Sequence, residues 1–135
     1  DVDMENLGIL GHCMGGRMAL LGASTNEAFK ACVPYYPGNM FKPWSEDGPA
    51  PFELLGGIQG TVRGFFGNDD QNPSPEDREK ISTELSRLGV EHVFHGYDGA
   101  GHAFQNFIAP ERFRADATTD SWEKTIAYLG STLKG

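Results

Sequence analysis

The stretch Leu7–Leu20, LGILGHCMGGRMAL, decides the fold of this 135-residue chain. Its apolar opening reads as a short buried strand over Asn6–Leu10. A helical pattern follows, and Met14–Ala23 reads as a helix with Met14, Met18 and Leu21 on one face. Between the two elements stand Gly11, His12 and a single cysteine, Cys13, with Gly15 and Gly16 just beyond. A strand that turns sharply into a helix projects the residue at the corner above the sheet. Small neighbours, here Gly11 and Gly15, let strand and helix pack closely. The helix begins at the thiol, so its free N–H groups and positive dipole end favour a thiolate and can hold an oxyanion. The corner is therefore a place for a nucleophile.

Downstream the elements alternate. Ala31–Tyr36 is a β-branched and aromatic run closed by Pro37, a second strand. A long connection follows, PGNMFKPWSEDGPA, and connections of this length are usually functional or mobile. A short helix is predicted over Pro51–Leu55. Thr61–Phe66 is a third strand, ended by Gly67. Ser74, Pro75 and Asp77 supply a cap, a first-turn proline and a capping-box acid. The helix they open has Ile81, Leu85 and Leu88 as its stripe and stops at Gly89. Glu91–His95 is a fourth strand. A last helix, from about Thr119 to Leu133, carries Trp122, Ile126, Leu129 and Leu133 on one face. The pattern predicts an α/β fold, a parallel sheet of about four strands flanked by helices, in one domain over residues 1–135.

Composition narrows the function classes. Lys and Arg number 11 against 19 Asp and Glu, a net charge of −8. The basic residues are scattered, whereas nucleic acid and anionic membrane surfaces require clustered positive charge, so neither is an expected partner. Two cysteines are too few for a disulfide framework. Cys32, in the apolar run ACVPYY, reads as a buried, inert thiol. No signal-peptide pattern opens the sequence, and no apolar run approaches the roughly 20 residues of a membrane helix, so the cytoplasm is the expected compartment.

A nucleophile needs a base, and the base needs an orienting acid. In open parallel sheets the working groups gather beyond the carboxyl ends of the strands. The loop after the third strand, GNDDQNPSP, offers Asp69 and Asp70. The loop after the fourth, YDGAGHAF, offers His102. Nucleophile, acid, histidine is the chain order of the α/β-hydrolases.

At this point nearly the whole chain resembles the C-terminal half of the dienelactone hydrolase (carboxymethylenebutenolidase) family of α/β-hydrolases. GHCMGGRMAL resembles the family's cysteine elbow and VPYYPG the strand after it. PFELLGGIQGTVRGFFGNDD resembles the segment leading to the acid, YDGAGHAFQN the segment carrying the histidine, and SWEKTIAYLGSTL the closing helix. The family's acid is the fourth residue of a G-x-x-D pattern, which counted from Gly67 selects Asp70. The resemblance implies hydrolysis of a small ester or lactone through a Cys13–His102–Asp70 triad and an acyl-cysteine. The backbone N–H of Met14 is then the oxyanion donor, and no cofactor or metal is needed. Tyr36, Trp44 and Phe104 are the expected substrate contacts.

Two features depart from the family. Its N-terminal half, which supplies a second oxyanion N–H, has no counterpart in these residues. Its arginine four positions after the histidine is here Asn106, so dienelactone itself is not the expected substrate. Without an outer neighbour, Asn6–Leu10 is expected at the sheet edge, with no Pro, Lys or bulge to blunt it. That edge invites a homodimer or a complementing N-terminal half. Two further readings stand beside the hydrolase: a non-catalytic interaction module, and a redox sensor built on the same thiol.

Of the remaining residues, His12 is expected to be structural. His92 and His95 point to opposite faces of a strand, which argues against a metal site there. Arg17 is expected to hold a buried acid or a substrate anion. Phe41, Trp44 and Phe52 either form a lid over the thiol or pack the long loop down. Cys13 is expected to alkylate with iodoacetamide faster than Cys32. Mass-spectrometric mapping checks this, and equal labelling or preference for Cys32 would overturn the activated thiol.

Overall fold

A computed structural model describes residues 1–134 of the chain. Strands Leu7–His12 (β1), Phe29–Tyr35 (β2), Thr61–Gly67 (β3) and His92–Tyr97 (β4) form one parallel sheet in the order β1-β2-β3-β4. Helices Met14–Thr25 (α1), Pro75–Arg87 (α2) and Ala115–Leu133 (α3) flank it, with a 3₁₀ segment over Pro51–Gly57. The α/β architecture expected from the alternation is the one observed. Helices α1 and α2 and the 3₁₀ segment cover one face, and α3 covers the other. No helix among the described residues is long and apolar enough to cross a membrane.

The core follows the period-two alternation of the strands. On the first face Cys32 and Val62 pack with Leu20, Leu55, Ile81 and Leu85, all buried. On the second, Ala31, Val33, Tyr35 and Phe65 pack beneath α3. The Tyr35 hydroxyl donates to the Ser121 carbonyl at 3.1 Å and lies 2.6 Å from Thr125 Oγ1, which fixes α3 against the central strand. The capping box of α2 is present. The Asp77 N–H donates to Ser74 Oγ, and the Ser74 N–H donates to Asp77 Oδ2.

Three expectations need correction. First, α3 begins at Ala115 rather than near Thr119. Its capping position is Arg114, which makes no side-chain cap; instead the Arg114 N–H donates to the Phe104 carbonyl at 2.9 Å. A distant loop sets this helix start, so no local signal marks it. Second, the apolar stripes of α1 and α3 are split: Leu129 and Leu133 pack against the core, whereas Met14, Met18, Trp122 and Ile126 face outward. Met14 is 66% exposed and Trp122 46%. The buried side of α1 is Gly16, Arg17, Ala19, Leu20 and Ala23, and that of α3 is Ala117, Ser121, Thr125 and Tyr128. Small residues and internally bonded polar ones allow the closer approach.

The third correction concerns the glycines of the elbow. A Cβ on Gly11 would run into the Gly15 carbonyl, and one on Gly16 would sit 2.5 Å from the Tyr35 carbonyl oxygen. A Cβ on Gly15 meets nothing within 4 Å. Gly16, not Gly15, is the helix residue that the close approach requires. The substitution Gly16→Ala is therefore expected to destabilise the fold by about 1–3 kcal/mol through overpacking. Gly15→Ala is expected to be neutral or to stabilise by up to about 1 kcal/mol through helix propensity. Urea unfolding of the two variants separates them, and equal midpoints would contradict the assignment.

Candidate active site

Parallel register brings the strand ends level. His12 pairs with Tyr35, Tyr35 with Phe65, and Gly67 with Tyr97. The loops leaving these ends converge, and all four non-glycine residues with positive φ lie on them: Cys13 (60°), Tyr36 (35°), Asn39 (54°) and Ala103 (60°). Left-handed backbone of this kind costs about 1–3 kcal/mol where the side chain does not favour it, and it persists only where the surroundings impose it.

Cys13 caps α1. Its N–H donates to the Tyr35 carbonyl at 3.0 Å, and its own carbonyl accepts from the Arg17 N–H at 3.1 Å. The thiol is exposed, and Sγ lies 2.9 Å from His102 Nε2. On the far side of the ring, His102 Nδ1 lies 2.8 Å from Asp70 Oδ2. Asp70 is 4% exposed, and its other oxygen, Oδ1, accepts the Asn72 N–H at 2.9 Å. The neighbouring Asp69 is exposed and makes no contact of this sort; its N–H donates to the Ala100 carbonyl. The hydrogen bond that His102 Nδ1–H donates to Asp70 raises the His102 pKa. Partial burial opposes this and the Cys13 contact adds to it, leaving the imidazole at about 9. Cys32 is buried, and burial pushes its thiol up to about 12. The two cysteines thus occupy opposite chemical environments.

Met14 opens α1, where the first N–H groups of a helix have no intrahelical acceptor, so its N–H is available to a developing oxyanion beside the thiol. Cys13 stands where two clefts meet. One, of about 550 Å³, is lined by Met14, Arg17, Asn39, Trp44, Asn72 and His102. The other, of about 440 Å³, is lined by His12, Tyr36, Ala103, Gln105, Asn106 and Phe107. Cys13 borders both.

The remaining predicted residues divide. Trp44 lines the first cleft. Tyr36 reaches the second but is nearly buried, and its ring sits 5.2 Å from that of His102 and 5.1 Å from that of Phe104. Phe104 is 0% exposed and belongs to the core beneath α3. The expectation that it contacts substrate is corrected: it supports Tyr36 from behind. Phe41 and Phe52 pack on each other 4.8 Å apart, beside α2 and away from the thiol, so of the three loop aromatics only Trp44 is at the site. Arg17 holds no acid. Its guanidinium donates to the Lys42 carbonyl and lies 3.7 Å from the Trp44 ring centroid, pinning the long loop to α1. His12 Nε2 is 2.6 Å from Gln105 Oε1, and its ring stacks on Tyr35. His92 bonds Ser82 on α2, while His95 stacks on Phe65 across the sheet. Asn39 and Asn72 escaped the sequence reading. G-N and N-P are turn signals, and nothing in them says that two turns meet.

The chain has relatives of known name. A Rhodococcus opacus carboxymethylenebutenolidase is 28% identical over 94% of this chain and 50% of its own length. A protein from Synechocystis sp. is 30% identical over 99% of this chain and 54% of its own. A solved Klebsiella pneumoniae structure superposes with a TM-score of 0.87 at 25% identity, covering 95% of this chain and 53% of that one. The chain thus spans about half the length of the relatives it matches. Residues 1–133 match the model of the dienelactone hydrolase family, and the chain belongs to that family.

Proposed function

We propose that this chain carries the reacting groups of a cysteine hydrolase acting on a small ester or lactone. The observation that supports the reading is the unbroken run of contacts from Asp70 through His102 to Cys13 at the meeting point of two clefts. His102, oriented by Asp70, keeps Cys13 ionised or takes its proton, and Cys13 Sγ attacks the carbonyl carbon. The Met14 N–H donates to the resulting oxyanion. The tetrahedral species collapses, the carbon–oxygen bond to the leaving group breaks, and His102 returns its proton to the departing oxygen. Water, deprotonated by His102, then attacks the thioester; the carbon–sulfur bond breaks and the free acid leaves. Residues 1–135 act in this as one domain, in a reducing cytoplasm that keeps the thiol free. Trp44 forms a wall against the substrate. The names of the relatives support the substrate class.

β1 is one edge of the sheet, and the exposed faces of Met14, Met18, Trp122 and Ile126 belong to the two helices beside it. An apolar edge strand invites pairing. We place a second copy of the chain there, joined β1 to β1 about a two-fold axis. An N-terminal half of the family fold would compete for the same edge. Light scattering coupled to size exclusion is expected to show a dimer, and a soluble monomer at high concentration would contradict it.

Hydrolysis of p-nitrophenyl acetate tests the reaction. Cys13→Ala and His102→Ala are each expected to lose turnover by about 100-fold or more, and Asp70→Asn likewise, while Asp69→Asn stays within about twofold. Acylation of Cys13 without turnover would point to a reactive thiol instead. Loss in Asp69→Asn but not in Asp70→Asn would displace the acid by one residue.

A further inference from the structure

Two asparagines tie together the loops that carry the cleft. Asn39 follows β2, and Asn72 follows β3. Asn72 Nδ2 donates to Asn39 Oδ1 at 2.9 Å, and the Asn39 N–H donates back to Asn72 Oδ1 at 2.9 Å. Among the described residues no other side-chain hydrogen bond joins these two loops. The backbone N–H of Asn72 holds Asp70 Oδ1, the oxygen that His102 does not use. A chain of contacts therefore runs Asn39, Asn72, Asp70, His102, Cys13.

We propose that Asn39 and Asn72 are positioning residues, a clamp that fixes the acid loop so that the Asn72 N–H keeps the Asp70 carboxylate turned toward His102. This rests on reading Cys13, His102 and Asp70 as the reacting set. A carboxylate with only one oxygen engaged is free to rotate about its last torsion, and that torsion is soft. Asp70 is almost fully buried, so water does not readily replace a lost partner. Asn39 adopts its left-handed φ of 54°, which asparagine tolerates better than most residues. Its loop is anchored at a second point by Arg17, through the Lys42 carbonyl and Trp44. The clamp thus borrows the rigidity of α1 for the acid loop.

The groups facing His102 are Asp70, Cys13 and the Tyr36 ring, and Arg17 lines the same cleft. A loosened Asp70 is the change that moves the imidazole titration. NMR titration of His102 in the whole chain reads it directly. The wild-type midpoint is expected near 9. Asn72→Ala removes both clamp bonds. Asn39→Gly removes the Oδ1 acceptor while keeping the left-handed backbone free of strain. In each the midpoint is expected to fall by roughly one pH unit or more toward the ordinary 6.5. Asn39→Asp retains an acceptor for Asn72 Nδ2 and is expected to hold the midpoint at or above wild type. If Asn72→Ala fails to fold, Asn39→Gly and Asn39→Asp carry the test. Variants that lose stability but titrate like wild type would reduce the asparagines to loop packing and overturn the clamp. A wild-type midpoint near 6.5 would instead overturn the Asp70–His102 pairing, and the proposed reaction with it.

Discussion

Backbone meets backbone where β1 becomes α1. The Tyr35 carbonyl accepts the Cys13 N–H and lies against the bare Cα of Gly16, while Gly11 and the Gly15 carbonyl close on each other with no room for a methyl group. These contacts set the height and direction of α1 over the sheet. Cys13 is held in a left-handed turn at the corner, and Arg17, one turn on, is aimed at the long loop. A helix lifted by one side chain would carry the thiol away from His102, although the two are 89 positions apart in the chain. The site depends on this packing more than on any of its own hydrogen bonds.

The electrostatics follow from depth. Asp70 is buried, accepts an N–H on one oxygen and engages His102 with the other, so it orients the ring without facing solvent. His102 is half-buried, with the acid on one nitrogen and the thiol on the other. The thiol is the one member of the set that is exposed. Exposure thus increases from Asp70 through His102 to Cys13, the direction the proposed reaction requires.

The four strands, the order of helices, the α2 capping box and the convergence of Cys13, Asp70 and His102 were all legible in the sequence. The strands, the helix order and the capping box are carried by local patterns, Cys13 and His102 by their places at strand ends, and the choice of Asp70 over Asp69 by the family resemblance alone. What was not legible depends on contacts between distant residues. The start of α3 answers to the Phe104 carbonyl rather than to its own first turn. The apolar stripes of α1 and α3 were found, but periodicity does not say which side faces the sheet when the inner side is glycine, alanine, serine and threonine. Phe104 lies two residues from His102 and still points into the core. The asparagine pair needed the fold before either member had a partner.

The left-handed residues divide the mouth of the cleft into frame and filling. Cys13, Tyr36, Asn39 and Ala103 sit near the roots of their loops, and three of the four are types that seldom take that backbone. Each takes that backbone against its conformational ease, so the surrounding contacts hold it there. A β-branched residue at any of them would not be accommodated, and glycine would ease the turn while unfastening it. The segments between these roots carry no such demand. Diversification of the cleft therefore has a rigid outline, with variation open at the exposed Met14, Glu46, Asp47, Phe107 and Ile108.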